Sequence, residues 1–144
     1  MEQYQNLADP APVPGWQIKI ADNYAQMGRL DLAERHYQLA YQLAEPLQQL
    51  DNSAAALRQL GKLYLAHDRL EAAIRVYNYL IYAEQRSYNY YGVMDAFDQL
   101  GQIYLKQENF PLAISAFTKG LDVAQRLKYR QDYFTQQLAK IPKP

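Results

Sequence analysis

Apolar residues recur along this chain at helical spacing, in blocks that break at short polar stretches. Leu57, Leu60, Gly61, Tyr64 and Leu65 stand at i, i+3, i+4, i+7 and i+8, which places them on one face of a helix. After the polar His67-Asp68-Arg69, the residues Leu70, Ala73, Ile74, Tyr77, Leu80 and Ile81 follow the same spacing. The pattern returns with Phe97, Leu100, Gly101 and Tyr104, a polar Gln107-Glu108-Asn109, and then Phe110, Ala113, Ile114, Phe117 and Leu121. Each pair of blocks predicts two helices joined by a tight turn, a helical hairpin.

The hairpins repeat. Sliding the sequence against itself aligns Tyr24, Tyr64 and Tyr104 forty residues apart, together with Ile20, Leu60 and Leu100, then Ala21, Gly61 and Gly101. Further columns hold Leu30, Leu70 and Phe110, then Ala33, Ala73 and Ala113, then Tyr37, Tyr77 and Phe117. The small columns have a packing reason: Gly or Ala removes bulk where two helices cross closely, and the aromatic four residues past the second small residue fills the gap.

Gly61, Tyr64, Ala73 and Tyr77, then Gly101, Tyr104, Ala113 and Phe117, with the looser copy Ala21, Tyr24, Ala33 and Tyr37, resemble the tetratricopeptide repeat. The likeness covers nearly all of residues 16–141. The usual period of that family is 34 residues, and the forty seen here is similar to the longer-helix branch found in kinesin light chains and Pins-type adaptors. The family's proline near the end of the second helix is matched only by Pro46, one position late. Arg86 and Arg126 stand there in the other units, which implies longer second helices. The resemblance implies an all-α fold, a right-handed α-solenoid of three hairpins, with units over about 16–53, 54–93 and 94–128. HEAT and armadillo units share a period near forty, and the small and aromatic columns argue against them.

Two flanks differ from the repeats. Residues 1–15 carry Pro10, Pro12 and Pro14 at alternate positions, which predicts an extended leader or linker. Tyr129 to Ile141 places Phe134, Leu138 and Ile141 on one helix face, as expected of a capping helix that covers the apolar side of the last hairpin. The alternative is that it opens a fourth unit of a longer protein. Residues 142–144 form a tail.

Composition narrows the function more than the fold. With no cysteine there is no thiol nucleophile, thiolate metal site or disulfide framework. Fifteen basic against fifteen acidic residues give a net charge of zero, which removes the attraction that sequence-independent nucleic-acid binding needs. The apolar run Tyr79–Ala83 is far too short to cross a bilayer, so no membrane insertion is expected. Without a basic and apolar N-terminal stretch, a cytoplasmic location is the expectation. His36 and His67 lack metal-ligand spacing, Ser53, Ser87 and Ser115 sit in no nucleophile context, and six scattered glycines build no phosphate loop. Asp95 and Asp98 share a helix face, as paired carboxylates of hydrolases do, but a solvated helix surface is the better reading. No cofactor, metal or catalytic residue is expected.

What the resemblance implies is a protein or peptide ligand held in the concave groove formed by the first helices. The family's groove positions fall on Ile18 and Asp22, then Arg58, Gln59, Lys62 and Leu65, then Asp95, Asp98, Gln99, Gln102 and Leu105. The carboxylate clamp of co-chaperone members is absent, since Ile18, Asp22, Gln59, Asp95 and Gln99 stand where its Lys and Asn residues would be. A mixed-charge ligand is therefore expected instead of an acidic chain end. Tyr79, Tyr82, Tyr90 and Tyr91 form a candidate second surface. Residues 1–57 hold three basic and seven acidic side chains and residues 119–144 six and two, a gradient that would suit weak head-to-tail self-association of an otherwise monomeric chain. The competing readings are an enzyme subunit, which needs a closed cluster of titratable groups, and a chaperone for an apolar helical client, which needs an aliphatic groove.

Overall fold

A computed structural model describes residues 12–143. Among them the chain forms seven helices: α1 (Pro12–Gln26), α2 (Leu30–Ala44), α3 (Leu50–Ala66), α4 (Leu70–Arg86), α5 (Tyr90–Lys106), α6 (Phe110–Leu127) and α7 (Gln131–Lys140). The structure is all-α, as the periodicity predicts.

Six turns joining these helices share one backbone solution. Gly28, Gln48, Asp68, Tyr88, Glu108 and Lys128 all have positive φ, between 54° and 75°, and they recur every twenty residues. The residue after each sends its N–H back to a carbonyl of the preceding helix. Arg29 donates to Tyr24, Gln49 to Ala44, Arg69 to Tyr64, Asn89 to Glu84, Asn109 to Tyr104 and Tyr129 to Ala124, over 2.8 to 3.1 Å. This is the Schellman closure, which satisfies carbonyls that a helix end leaves open. Only the first of the six uses glycine, so the period of the turns is half that of the side-chain columns and is barely visible in residue type. Asn89 and Asn109 then cap the next helices through Gly92 N–H and Leu112 N–H.

The chain divides into two compact units, Met1–Val76 and Tyr77–Pro144, with the boundary inside α4. In the first, α1 packs on α2, α2 on α3, and α1 also touches α3. The small columns lie at the crossings: Ala21, Ala33, Ala40 and Ala44 are completely buried, with Tyr37 beside them. In the second unit α5 packs on α6 and α6 on α7. Met94, Ala113, Phe117, Ala124, Phe134 and Ile141 form its core. Two glycines permit two rings there: a Cβ on Gly101 would stand 2.5 Å from the Phe117 ring, and one on Gly120 would stand 2.5 Å from the Phe134 ring.

The boundaries drawn from sequence shift in places. The leader over 1–15 was expected to be extended, but Pro12 begins α1 and Pro14 is buried in its first turn. A first-turn proline lacks only an N–H that the helix would not have bonded, so it starts a helix as readily as it blocks one. The remainder of that leader, residues 1–11, and Pro144 of the tail lie outside the described residues. Helices α3 and α5 begin at Leu50 and Tyr90, four residues before the units drawn at 54 and 94. The second helices do lengthen after Pro46, from 15 residues in α2 to 17 in α4 and 18 in α6.

Candidate functional site

The positions expected to line a groove fall into two groups with different surroundings. In the first unit α1 carries Ile18 and Asp22, and α3 carries Arg58, Gln59, Lys62 and Leu65. All are at least partly solvent-exposed. Asp22 is braced, because the Tyr37 hydroxyl donates to it from the adjoining helix. Burial, reinforced by the Asp22 carboxylate, pushes the Tyr37 phenol well above its ordinary range. A second brace repeats the chemistry between α3 and α2: Tyr64 donates to Glu34. Burial and the Glu34 carboxylate push the Tyr64 phenol up to about 12. Both phenols therefore remain proton donors at any physiological pH, fixing each carboxylate in place.

In the second unit the α5 positions are largely taken. Arg130, which precedes α7, places Nη1 3.0 Å from Asp95 Oδ1 and Nη2 3.2 Å from Asp98 Oδ2. Tyr133 donates to Asp98 across 2.7 Å, and its own hydroxyl accepts from Gln102 across 3.2 Å. Gln102 also reaches Gln137 of α7 at 3.3 Å. The Arg130 guanidinium lies 4.3 Å from the centre of the Tyr133 ring. Asp98 is buried, so it needs these partners to offset its lost hydration. Leu105 packs against the core, and Gln99 is half-buried. Asp95, Asp98 and Gln102 thus bond to α7 or the residue before it; Asp98 is buried, while Asp95 and Gln102 stay solvent-exposed.

The four tyrosines of the second candidate surface, Tyr79, Tyr82, Tyr90 and Tyr91, are all exposed. Tyr91 meets the Tyr129 ring edge-on at 5.7 Å, and the Arg86 guanidinium lies over Tyr82. Tyr90 also borders an open cleft of about 870 Å³ between the end of α4, the first half of α5 and the second half of α6. Val93, Phe97, Val123 and Leu127 make its apolar lining, with Lys119 and Arg126 as cations in its wall. Arg126 pairs with Asp122 at 3.3 Å, leaving the cleft weakly basic.

The histidines have local roles. His36 Nδ1 lies 2.7 Å from Gln17 Oε1 while its ring stacks on Tyr24. His67 Nδ1 lies 3.0 Å from the Leu63 carbonyl. Among the described residues, no three His, Cys, Asp or Glu side chains converge as a metal site would require.

Sequence reasoning did not single out Arg130, Tyr133 and Gln137. The available signal was the polar side of the last amphipathic helix, with Arg130, Tyr133 and Gln137 at i, i+3 and i+7. That spacing marks a second interacting face beside the apolar one, but which carboxylates it meets depends on tertiary packing. Glu84 was missed for another reason. It replaces the alanine found at 44 and 124 in its column, yet it is buried, with one oxygen 3.0 Å from the Asn89 amide, over the space that Gly92 leaves open.

Comparison with known proteins agrees with this architecture. Residues 15–78 and 95–126 match family models of the tetratricopeptide repeat. Among solved structures, the crystal structure of BtubC (BKLC) from P. vanneervenii superposes with a TM-score of 0.75 at 20% sequence identity. The match covers 92% of this chain and 56% of that one, so this chain corresponds to little more than half of that protein's length. None of the curated proteins matches the sequence.

Proposed function

Because this chain belongs to the tetratricopeptide repeat family, an all-α helical-repeat solenoid whose repeats bind proteins or peptides, we propose that it is a non-enzymatic scaffold for a peptide or protein partner. The partner contacts the first-helix faces of the first two hairpins through Ile18, Asp22, Arg58, Gln59, Lys62 and Leu65. The observation that carries this is the contrast between the two units. On α5, Asp95, Asp98 and Gln102 already bond to α7 or to the residue before it, and Asp98 is buried, whereas none of the six α1 and α3 positions is buried. Asp22 opposite Arg58 and Lys62 makes the surface mixed in charge, which suits a ligand carrying both signs more than an acidic chain end. The Gln59 amide can both donate to and accept from a ligand backbone. Gln99 and Leu105 belong to the same family columns in the third hairpin, and both are partly exposed.

Affinity capture with the full chain, compared with an Arg58→Glu, Lys62→Glu double variant, tests the reading. A partner held by the parent and by Tyr79→Ser, Tyr82→Ser, but lost by the charge-reversed variant, is the expected result. A partner retained equally by all three places the binding surface elsewhere. The cleft lined by Val93, Phe97, Val123 and Leu127 favours a second reading, capture of an apolar helix of a client. That reading gains if Phe97→Asp alone abolishes capture.

A further inference from the structure

The first helix carries an apolar stripe that no described residue of its own unit covers. Trp16, Ile20 and Met27 are 62%, 38% and 67% exposed. With exposed Asn23 they stand at i, i+4, i+7 and i+11, a single line along α1 and the turn residue that follows it. The line lies at right angles to the face that meets α2, where Gln17, Ala21 and Tyr24 sit, and opposite the side carrying Ile18 and Asp22. The last helix is the reverse. The exposed residues of α7 are Asp132, Thr135, Gln136, Ala139 and Lys140, a polar surface of the kind that ends a repeat stack. An exposed tryptophan and methionine in line along one helix and the turn that ends it need a physical explanation.

We infer that the α1 stripe is a self-association surface on which two copies of this chain pair head to head, α1 against α1, antiparallel and related by a two-fold axis. The antiparallel crossing is self-complementary. The axis passes between Ile20 and Asn23, so Trp16 of one copy lies against Met27 of the other, a sulfur–aromatic contact, and Ile20 lies beside Asn23. The areas agree with this. At roughly 200 to 250 Å² for each fully exposed large side chain, the three expose about 350 Å² per copy. Two copies bury about 700 Å² of apolar surface, and the flanking Lys19, Asn23 and Gln26 bring the total to about 1,200 Å², the lower end for a specific interface and with the usual apolar share. The outer face of α7 offers no large apolar side chain as a complement to Trp16. The surface is separate from the proposed ligand positions, and occupancy of one does not require the other.

Trp16 is the chain's single tryptophan, so its fluorescence reads the stripe directly. Over a hundredfold concentration series about the micromolar range, the full chain should double in mass by light scattering while Trp16 emission shifts to the blue. Met27→Glu should weaken the pairing at least tenfold with unchanged far-ultraviolet dichroism, and Asn23→Lys, at a fully solvated position, should do so without touching the fold. A monomer whose emission stays red at every concentration overturns the inference. So does a monomer with blue emission that turns red when residues 1–11 are removed, because the chain's own N-terminal segment would then be the cover. Dimers that survive both substitutions overturn it as well.

Discussion

Replacing Gly101 by alanine sets two opposing effects against each other at one atom. Gly101 is buried in the interior of α5, where exchanging glycine for alanine in a helix ordinarily stabilises by about 1 kcal/mol. Here the added Cβ would stand 2.5, 2.6 and 2.7 Å from three atoms of the Phe117 ring. Real contacts of that kind need roughly an ångström more. Phe117 is fully buried against Ala113, Met94 and Phe134, so the ring cannot withdraw without displacing its neighbours. Overpacking of this sort costs about 1 to 3 kcal/mol, and the near-equal approach of three ring atoms puts this case toward the upper end. The steric effect therefore wins, with a net loss of about 1 to 2 kcal/mol. Urea unfolding followed by circular dichroism measures it, as a lower midpoint at unchanged slope. Two controls isolate the cause. Gly15→Ala, where the nearest atom is 4.0 Å away, should not destabilise. In a Phe117→Leu background the Gly101→Ala cost should vanish, giving a coupling energy of about 1 kcal/mol or more. A Gly101→Ala protein as stable as its parent would refute the close crossing of α5 and α6.

Four further outcomes follow from the same packing. Ala113→Leu should cost about 1 to 3 kcal/mol, because Ala113 is completely buried on the opposite helix of that crossing; unchanged thermal unfolding would contradict the register. Stability should decline in alkali. Tyr37, Tyr64 and Tyr133 titrate higher when folded than when unfolded, so their contribution is intact below the ordinary phenol value near 10 and drains as pH rises through about 12 for Tyr64. Urea midpoints across that range, with Tyr64→Phe blunting the fall, provide the check. Deleting residues 129–144 strips Phe134 from the Gly120 slot and should cause aggregation or a loss of cooperativity in the melt; a monodisperse fragment with the parent's melt would remove the capping role. Tyr88→Gly should stabilise by about 0.5 to 1 kcal/mol. Its left-handed backbone costs a non-glycine residue about 1 to 2 kcal/mol, the side chain is exposed, and glycine's unfolded-state entropy returns only part of the gain. Differential scanning calorimetry resolves a change of that size.

The columns of the repeat were legible because each records a local steric requirement that recurs unchanged. Ala33 and Ala113 are small and Tyr37 and Phe117 are large for reasons confined to one hairpin, so residue type alone reports them. Hence the helix pairs, their order and the family could be read without coordinates. The turns were legible only as polar stretches. Five of the six left-handed residues that recur every twenty positions are not glycine, and the backbone hydrogen bond that closes each turn offsets a conformation their side chains do not favour.

The candidate surface was legible in position but not in state. Helical spacing put Asp95 and Asp98 on one face of α5, and the resemblance to the repeat family added Gln102 to it. Whether such a face is open depends on a residue some thirty-five positions away. Arg130 and Tyr133 reach Asp98 because the chain reverses at Lys128 and Arg130, both in the left-handed region, and lays α7 back over α5. The approach of α7 is governed by Phe134 entering the space over Gly120, a contact between elements that no local pattern encodes. Sequence alone thus determined which residues share a helix face. Tertiary packing decided which of them already have a partner, because a buried carboxylate must take whatever donor the fold brings to it.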